Sequence, residues 1–351
     1  MPEVILVAGR GPMASRAIRS CQEAGAKAIA VYSEADANAL HVRLADEAVL
    51  IGDSAPESSY LDDASLVEAA QVSSAHAVLP VHPILAGSPE LARAIEDAGL
   101  LWIGPDSHAL AAVRELEWAN EPVTGTSSGW VIGVADGFRI DGVVVRRMNA
   151  DGATLWWTSA DEPAELVLDG LPPAAKLLAS LSDLVVGLGW RGLVSVTFAE
   201  DGSPLAIRGG VPRELGIAEL RTGRDLVKGA LALADDGSPP SGSPGAPAAV
   251  GGVIRATAVP GPGQRVRITE FTGPTGPDLI WEPGYAAGDS IWPWYDPVLA
   301  VLAVPGADVS AAVTGFLGAT AGVSIVAVPN DLEQLRERAE DLAARLRDRA
   351  Q

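Results

Sequence analysis

The stretch Val4-Ile5-Leu6-Val7-Ala8-Gly9-Arg10-Gly11-Pro12-Met13-Ala14 decides the fold of this chain. Its opening apolar run predicts a buried parallel strand. The glycines then allow a sharp turn into a helix that runs to Glu23. Pro12 suits the start of that helix, because the first helical turn needs no N–H partner there. A strand that turns directly into a helix is the first step of a βαβ unit.

Strands and helices go on alternating over the first third of the chain. The second strand is predicted at 28–32, with Ser33-Glu34-Ala35-Asp36 at its carboxyl end. The further predicted elements are strands at 47–51, 77–79 and 101–103 and helices at 62–70 and 89–98. This order predicts a doubly wound parallel sheet.

From Gly133 onward the pattern predicts antiparallel strands. The predicted elements are a hairpin of 143–146 and 153–157 around the turn 149–152, a helix at 174–187, a hairpin of 193–198 and 205–207, and strands near 253–259, 265–271 and 297–303. Residues 235–248 are dense in Gly, Ser and Pro and predict a flexible linker or long loop. A last helix begins at the capping pair Asn330 and Glu333 and carries one apolar stripe.

Net charge and composition exclude several classes of function. The 351 residues include 45 acidic and 25 basic side chains, for a net charge of −20. Neither nucleic acid nor an anionic membrane surface is therefore an expected partner. The single cysteine, Cys21, excludes internal disulfides and a cysteine-based zinc site. The chain shows no signal peptide and no apolar run of membrane length, so the expected location is the cytoplasm.

Gly9 and Gly11, with Ala14 and the acidic Glu34 and Asp36, match the pattern of a dinucleotide-binding loop. The match is unspecific, because such loops occur wherever a strand turns sharply into a helix. The four histidines are not spaced for a metal site, and neither a nucleophile elbow nor a P-loop occurs. No cofactor is expected from these patterns.

Nine tryptophans stand beside only four phenylalanines. Trp156-Trp157 and Trp292-x-Trp294 are interpreted as alternating across strands, so at least one of each pair should face outward or into an interface. Core packing is the simplest interpretation of any single tryptophan. The segment of Trp292 and Trp294 is nevertheless the best candidate contact surface in the chain, because Trp and Tyr dominate interface hot spots.

The chain resembles the biotin carboxylase family, the ATP-grasp component of acyl-CoA and pyruvate carboxylases. The residues that carry the resemblance are 5–11, 30–36, 41–48, 59–61, 103–105, 189–192, 222–228 and 285–296. It implies an α/β and α+β fold with five segments. These are an N-terminal domain (1–115), a linker in place of the family's lid domain (116–141), a truncated ATP-grasp domain (142–234), a Gly/Ser/Pro linker (235–248) and a β-rich C-terminal domain (249–351).

Two departures from the family pattern concern magnesium. The first metal-binding glutamate of the family corresponds to Thr197 and the second to Arg208. Magnesium beside a nucleotide needs hard oxygen ligands, mostly carboxylates. A threonine is a weak neutral ligand and an arginine repels the ion. The resemblance therefore implies a scaffold without Mg·ATP.

Other family residues are replaced as well. The resemblance places Leu116 where the family has an ATP-contacting lysine, and Ile280 where it has the arginine that stabilises the biotin enolate. Glu214 corresponds to the family's general base and is a possible remnant of it, while the match of Arg213 to the family's arginine is uncertain. Because phosphoryl transfer depends on positioning and electrostatic stabilisation, an isolated Glu214 cannot sustain it.

Arg19 and Glu23 match positions through which family members form dimers. Lying four residues apart on one helix face, they could equally form an exposed intrahelical ion pair. The first hypothesis is a non-catalytic scaffold or regulatory protein that pairs as a homodimer or joins a carboxylase complex. The alternatives are an ATP- and magnesium-dependent ligase or carboxylase with an altered site, and a small-ligand sensor at the cleft above Gly9 and Gly11.

Overall fold

The computed structural model describes residues 1–116, 129–138, 140–148, 153–162, 172–276, 278–295 and 298–348. Its first sheet is parallel, with the strand order β3-β2-β1-β4-β5. The strands are β1 (Val4–Ala8), β2 (Lys27–Tyr32), β3 (Glu47–Leu50), β4 (Ala77–Pro80) and β5 (Leu101–Trp102). The helices are α1 (Gly11–Glu23), α2 (Leu40–Leu44), α3 (Asp63–Val72), α4 (Pro83–Ala86), α5 (Pro89–Asp97) and α6 (Ser107–Arg114). The predicted doubly wound sheet is confirmed.

Local sequence explains where these helices begin. Asp62, Ser88 and Asp106 each accept a hydrogen bond at the start of a helix, from the N–H groups of Ala64, Leu91 and Ala109. Side-chain oxygens of this kind satisfy backbone donors that a first helical turn leaves without partners. Helix α1 is buried on nearly every side, which fits its place between the two sheets.

The second sheet has eight strands in the order β10-β9-β6-β7-β8-β11-β16-β14, and each adjacent pair is antiparallel. The strands are β6 (Gly129–Asp136), β7 (Ile140–Met148), β8 (Leu155–Ser159), β9 (Arg191–Phe198), β10 (Pro204–Arg208), β11 (Ala248–Arg255), β14 (Ile280–Pro283) and β16 (Val298–Gly306). Two small sheets pair β12 (Val266–Arg267) with β15 (Ser290–Ile291) and β13 (Glu270–Thr272) with β17 (Ser324–Val326).

Five more helices pack on these strands. They are α7 (Ala174–Gly187), α8 (Leu215–Thr222), α9 (Leu226–Ala234), α10 (Val309–Ala321) and α11 (Leu332–Asp348). At the start of the last helix Asn330 Oδ1 accepts the Leu332 N–H at 3.2 Å, while Glu333, the other member of the predicted capping pair, contacts Arg336 instead. Both predicted hairpins are present, although the turn 149–152 lies outside the described residues. None of the described helices has the length and apolar character that crossing a membrane requires.

The predicted linker at 116–141 is wrong for Gly129–Asp136. These residues form β6, which pairs with β7 on one side and β9 on the other. Backbone groups inside a sheet need partners on both sides, and an alternating strand supplies them. Residues 117–128 lie outside the described residues. The predicted replacement of a lid domain therefore stays a prediction.

The other segment boundaries also stay predictions, but one sheet runs across them. β8, from segment 142–234, pairs with β11 and so joins the strands of segment 249–351, with Val250 opposite Trp157. Residues 237–247 form neither helix nor strand, in agreement with a long loop. That loop binds the end of α8, because the Ala246 N–H donates to Leu220 O at 2.8 Å.

The hydrophobic core also joins the two large sheets. One cluster contains Ile5 and Ile18 of the first sheet and its helix together with Leu193, Val227 and Val301 from the rest of the chain. A second cluster lies under the other face of the parallel sheet, and a third fills the C-terminal region. This packing brings the loop after β1 against β9 and β10.

Candidate functional site

A cavity of about 510 Å³ lies where the β1–α1 loop, the ends of β9 and β10, and the segment after β15 meet. Its volume is within the range of small-molecule sites. The residues that line it and bear on function are Gly9, Arg10, Gly11, Tyr60, Leu61, His82, Ile84, Trp130, Ser195, Arg208, Arg213, Glu214, Trp294 and Tyr295. The sequence-predicted Gly9, Gly11, Arg208, Glu214 and Trp294 are thus brought together.

The two glycines shape the wall nearest the parallel sheet. A Cβ on Gly9 would lie 2.7 Å from Val81 Cβ, so only glycine lets the loop cross the end of β4. Gly11 has a φ of 71°, in the left-handed region that glycine adopts at no steric cost. Both roles follow from the turn itself, and ligand binding by these glycines stays a prediction.

Arg10 is held in a buried polar cluster. Its guanidinium donates two hydrogen bonds to Asp36, at 2.7 and 3.0 Å, and lies 4.0 Å from the ring centroid of Tyr295. Tyr60 donates a further hydrogen bond to Asp36 at 2.9 Å. Burial acts to raise the pKa of Asp36, but the Arg10 charge outweighs it and the pKa lies below its usual range. Asp36 is therefore occupied and is not free to bind a ribose.

The floor of the cavity follows from strand register. Trp130 on β6 lies opposite Thr197 on β9, which lies opposite Ala206 on β10. The neighbouring row consists of Ile132, Ser195 and Arg208. Directly opposed residues on adjacent strands share one face of a sheet. This face presents an indole, two hydroxyl groups and a guanidinium.

The residues at this face do not fit a magnesium–nucleotide site. Neither row contains a carboxylate, and the guanidinium of Arg208 would repel a divalent cation at short range. Thr197 is 6% exposed and is not among the residues that line the cavity. Among the described residues, no group of three or more His, Cys, Asp or Glu side chains is arranged to hold a metal ion.

Among the described residues that line the cavity, only Glu214 carries a carboxylate. It lies at the start of α8 among three arginines, Arg208, Arg213 and Arg255. Burial raises its pKa above the ordinary value, and the three positive charges act in the opposite direction. A partly desolvated carboxylate in a cationic setting is typical of functional sites. The role of Glu214 as a remnant of a general base is untested.

Two other family positions lie away from the cavity lining. Ile280 is on β14 and packs toward α8, where a Cβ on Gly216 would be 3.1 Å from Ile280 Cγ2. Leu116 follows α6 and donates its N–H to Val113 O at 3.1 Å. Neither lines the cavity.

The two charged residues predicted at a dimer interface have intramolecular partners. Arg19 pairs with Glu282 on β14, and Glu23 accepts a 2.7 Å hydrogen bond from Lys228 on α9. Both keep exposed area, 31% for the side chain of Arg19 and 60% for that of Glu23. These contacts bind α1 to the second half of the chain. A dimer contact through the two residues stays a prediction.

Of the tryptophan pair, Trp294 lines the cavity and is 43% exposed. Trp292 lies outside the lining and is half-buried, with the guanidinium of Arg265 5.6 Å from its ring. The exposure of Trp294 agrees with the prediction that at least one of this pair faces outward. The same prediction is wrong for Trp156 and Trp157, which both pack in the core and are 2% exposed. Trp130 was missed from the sequence because β6 fell inside the predicted linker, and Ser195 carries no motif that would single it out.

The chain is similar to a biotin carboxylase family and to proteins that are named as parts of carboxylases. Residues 1–110 match the family described as biotin carboxylase, N-terminal domain. Over 111 residues the chain is 40% identical to the mitochondrial propionyl-CoA carboxylase alpha chain of Sus scrofa, covering 32% of this chain and 15% of that protein. Over 106 residues it is 45% identical to the biotin-dependent acyl-coenzyme A carboxylase alpha3 subunit of Mycobacterium leprae (strain TN), covering 30% and 18%.

A solved structure extends the likeness to the whole fold. The biotin carboxylase domain of a single-chain bacterial carboxylase superposes with a TM-score of 0.78 at 22% identity, covering 96% of this chain and 92% of that one. At this identity the match shows the fold alone. The sequence matches span less than a fifth of the length of the two curated relatives. The predicted resemblance to biotin carboxylases is confirmed.

Proposed function

We propose that this protein is a non-catalytic biotin carboxylase-like protein that acts as a scaffold or regulatory subunit of an acyl-CoA carboxylase-type assembly. The observation that supports it most is the cavity floor. Ser195, Thr197 and Arg208 occupy the face where the family resemblance requires metal-binding carboxylates. The surrounding fold is retained while this face is cationic.

The assembly role is supported by the two curated relatives. The Mycobacterium leprae protein is the alpha3 subunit of its carboxylase, and the Sus scrofa protein is the alpha chain of another. A chain that keeps the fold of such a component without its metal site can occupy the same position without catalysing the reaction. Because proteins that share one fold can have different functions, the two roles in this proposal are tested by ligand binding and by copurification.

Calorimetric titration with ATP and magnesium tests the loss of catalysis. The expected result is no saturable binding up to about 1 mM ligand, which corresponds to a binding free energy weaker than about 4 kcal/mol. The matched measurement uses ATP with EDTA in place of magnesium. Magnesium-dependent binding in the low micromolar range would instead support the altered ligase or carboxylase.

Copurification from the native cell tests the scaffold role. Tagged protein is expected to recover carboxylase components, and Trp294→Ala is expected to reduce their recovery because an exposed tryptophan is removed from the predicted contact surface. Phe138→Ala is the matched control, since Phe138 is 88% exposed and lies outside the cavity lining. Recovery of the tagged chain alone would contradict the proposal.

A second candidate function is small-ligand sensing. It is favoured by the cavity itself, which is lined by several separate parts of the chain and has a volume of about 510 Å³. Ligand sensing is compatible with a regulatory role, because a ligand that binds one state of an assembly shifts its population.

A further inference from the structure

Arginines outnumber carboxylates in the lining of the cavity. Arg10, Arg208 and Arg213 line it beside one carboxylate among the described residues, that of Glu214, and Arg10 is paired with Asp36. A ligand with a single negative charge suits Arg208, whereas a polyphosphate would bring more negative charge against Glu214.

Arg208 and Ser195 supply the donors for such a charge. They lie opposite each other on β10 and β9 and share the cavity face. Within the described ranges, neither side chain makes a hydrogen bond or an ion pair with the protein. Arg16 and Arg146, by contrast, are each bound to carboxylates. A guanidinium beside a hydroxyl matches the two oxygens of a carboxylate.

The mouth of the same cavity is apolar. Leu61, Ile84 and Trp294 line it and are 40%, 61% and 43% exposed, respectively. Trp130 adds an aromatic wall next to the donors and packs edge-on against Trp156, with ring centroids 6.2 Å apart. Exposed apolar area that surrounds a polar pocket marks a ligand with an apolar body.

We infer that the cavity binds an amphipathic organic monocarboxylate, with its carboxylate on Arg208 and Ser195 and its apolar body along Trp130, Trp294 and Leu61. This inference rests on the proposed function, because a magnesium–nucleotide complex would need the same space. It adds a ligand class to the sensing role and gives Arg208 a function.

Calorimetric titration with octanoate tests the assignment. Wild-type protein is expected to bind octanoate and not octanamide, which has the same chain without the charge. Affinity is expected to rise about fourfold per methylene from butanoate to octanoate, because each buried CH₂ adds apolar transfer free energy. Equal binding of octanoate and octanamide, or no binding of either, would overturn the inference.

Two variants test whether Arg208 binds the carboxylate of the ligand. Arg208→Gln is expected to weaken octanoate binding about tenfold or more by removing a charge-assisted hydrogen bond. Arg265→Gln is the matched control and should bind as the wild type, because Arg265 lies over Trp292 outside the cavity lining. Wild-type affinity in Arg208→Gln would overturn the assignment of the carboxylate.

Titration with Mg·ATP on the same sample separates this inference from the proposed function. If neither octanoate nor Mg·ATP binds, the ligand assignment fails and the non-catalytic proposal stands. If Mg·ATP binds tightly and displaces octanoate, the non-catalytic proposal fails. Octanoate binding without Mg·ATP binding supports both.

Discussion

At the scale of single residues, one substitution changes what the cavity can hold. Arg208 places a permanent positive charge where the family resemblance expects a carboxylate, and Glu214 remains beside it. Arginine stays charged at all relevant pH values, so the preference for anions is fixed. Glu214 is different, because its protonation changes the net charge of the lining by one.

Glu214 predicts a pH dependence for anion binding. Its pKa is raised above the ordinary value of 4.5, so it loses its negative charge at a higher pH than a solvated glutamate as the solution is acidified. Affinity for octanesulfonate, which stays charged, should therefore rise as the pH falls from 8 to 5. Glu214→Gln should bind a few-fold more tightly at pH 8 and lose most of this slope. Calorimetry over that pH range measures both.

His82 also lines the cavity. A slope that persists unchanged in Glu214→Gln would show that Glu214 is not its source. Burial raises the pKa of Tyr60 and of Tyr295 above the ordinary value, so neither loses its proton between pH 5 and pH 8. The variant thus tests the contribution of Glu214 alone.

The sequence singled out several residues that line the cavity but not the residues beside them in space. Gly9 and Gly11 were singled out by a motif and Arg208 and Glu214 by the family resemblance, and all four line one cavity. Ser195 was missed because its meaning depends on strand register, which sets it opposite Arg208. Such pairing cannot be obtained from spacing along the chain.

At the scale of elements, α1 is fixed by a buried ionic cluster. Arg16 binds Glu219 of α8 through both carboxylate oxygens, at 2.9 Å each, and also contacts Asp225 at 3.1 Å and Glu282 at 3.3 Å. Burial raises the pKa of Glu219 to about 7, and the charge of Asp225 adds to the effect while Arg16 opposes it. Glu219, Asp225 and Glu282 therefore share the charge of one guanidinium, although Asp225 also pairs with Lys228 and Glu282 with Arg19.

Arg16→Met should lower the free energy of unfolding by about 3–5 kcal/mol, because it leaves buried carboxylates facing one another. The loss should be smaller at pH 6 than at pH 8. Because folding raises the pKa of Glu219 from 4.5 to about 7, the folded state favours the protonated form of this side chain. The stability that protonation contributes therefore decreases as the pH rises from about 4.5 to about 7. Urea unfolding at both pH values measures the difference.

Arg43→Met is the matched control for that experiment. Arg43 pairs with Asp289 at 2.8 Å, and its side chain is 42% exposed although that of Asp289 is only 8% exposed. Because the guanidinium faces solvent, the pair is screened and should contribute about 1 kcal/mol. Equal losses of unfolding free energy in the two variants would show that the cluster at Arg16 contributes no more to stability than the pair at Arg43.

The junction of β6 and β7 depends on two facing glycines. Gly133 lies opposite Gly142, and a Cβ on Gly133 would come within 2.6 Å of Gly142 Cα and collide with Asp141 O. Gly133→Ala should cost about 1–3 kcal/mol in unfolding free energy, since the strands must separate to admit the methyl group. Chemical denaturation measures it.

Gly187→Ala serves as the comparison, because a Cβ there meets nothing within 4 Å at the end of α7. It should be neutral or stabilising by up to about 1 kcal/mol. An equally mild effect of Gly133→Ala would mean that β6 and β7 are not held as closely as the register implies.

Strand β6 was not predicted, since its alternation lay inside a segment interpreted as a linker.

At the scale of the whole molecule, the sequence predicted the types of element and the family fold. The parallel sheet followed from local signals, because each βα unit repeats one pattern. The eight-stranded sheet did not, since β8 meets β11 across the loop at 237–247. Pairing over that distance depends on tertiary packing. The same packing closes the cavity from both sheets.

Tyr295 ties the segment after β15 to the parallel sheet, with its hydroxyl 2.6 Å from Ser33 Oγ and donating to Ser54 O at 2.9 Å. Together with the shared core, this linkage predicts one cooperative unfolding transition, identical by tryptophan fluorescence and far-UV circular dichroism. Tyr295→Phe should shift that transition by about 1–3 kcal/mol without splitting it, because the buried Ser33 hydroxyl and the partly buried Ser54 carbonyl lose a partner. Two resolved transitions in the wild type would show instead that the two large sheets unfold independently and that the cavity forms only where they meet.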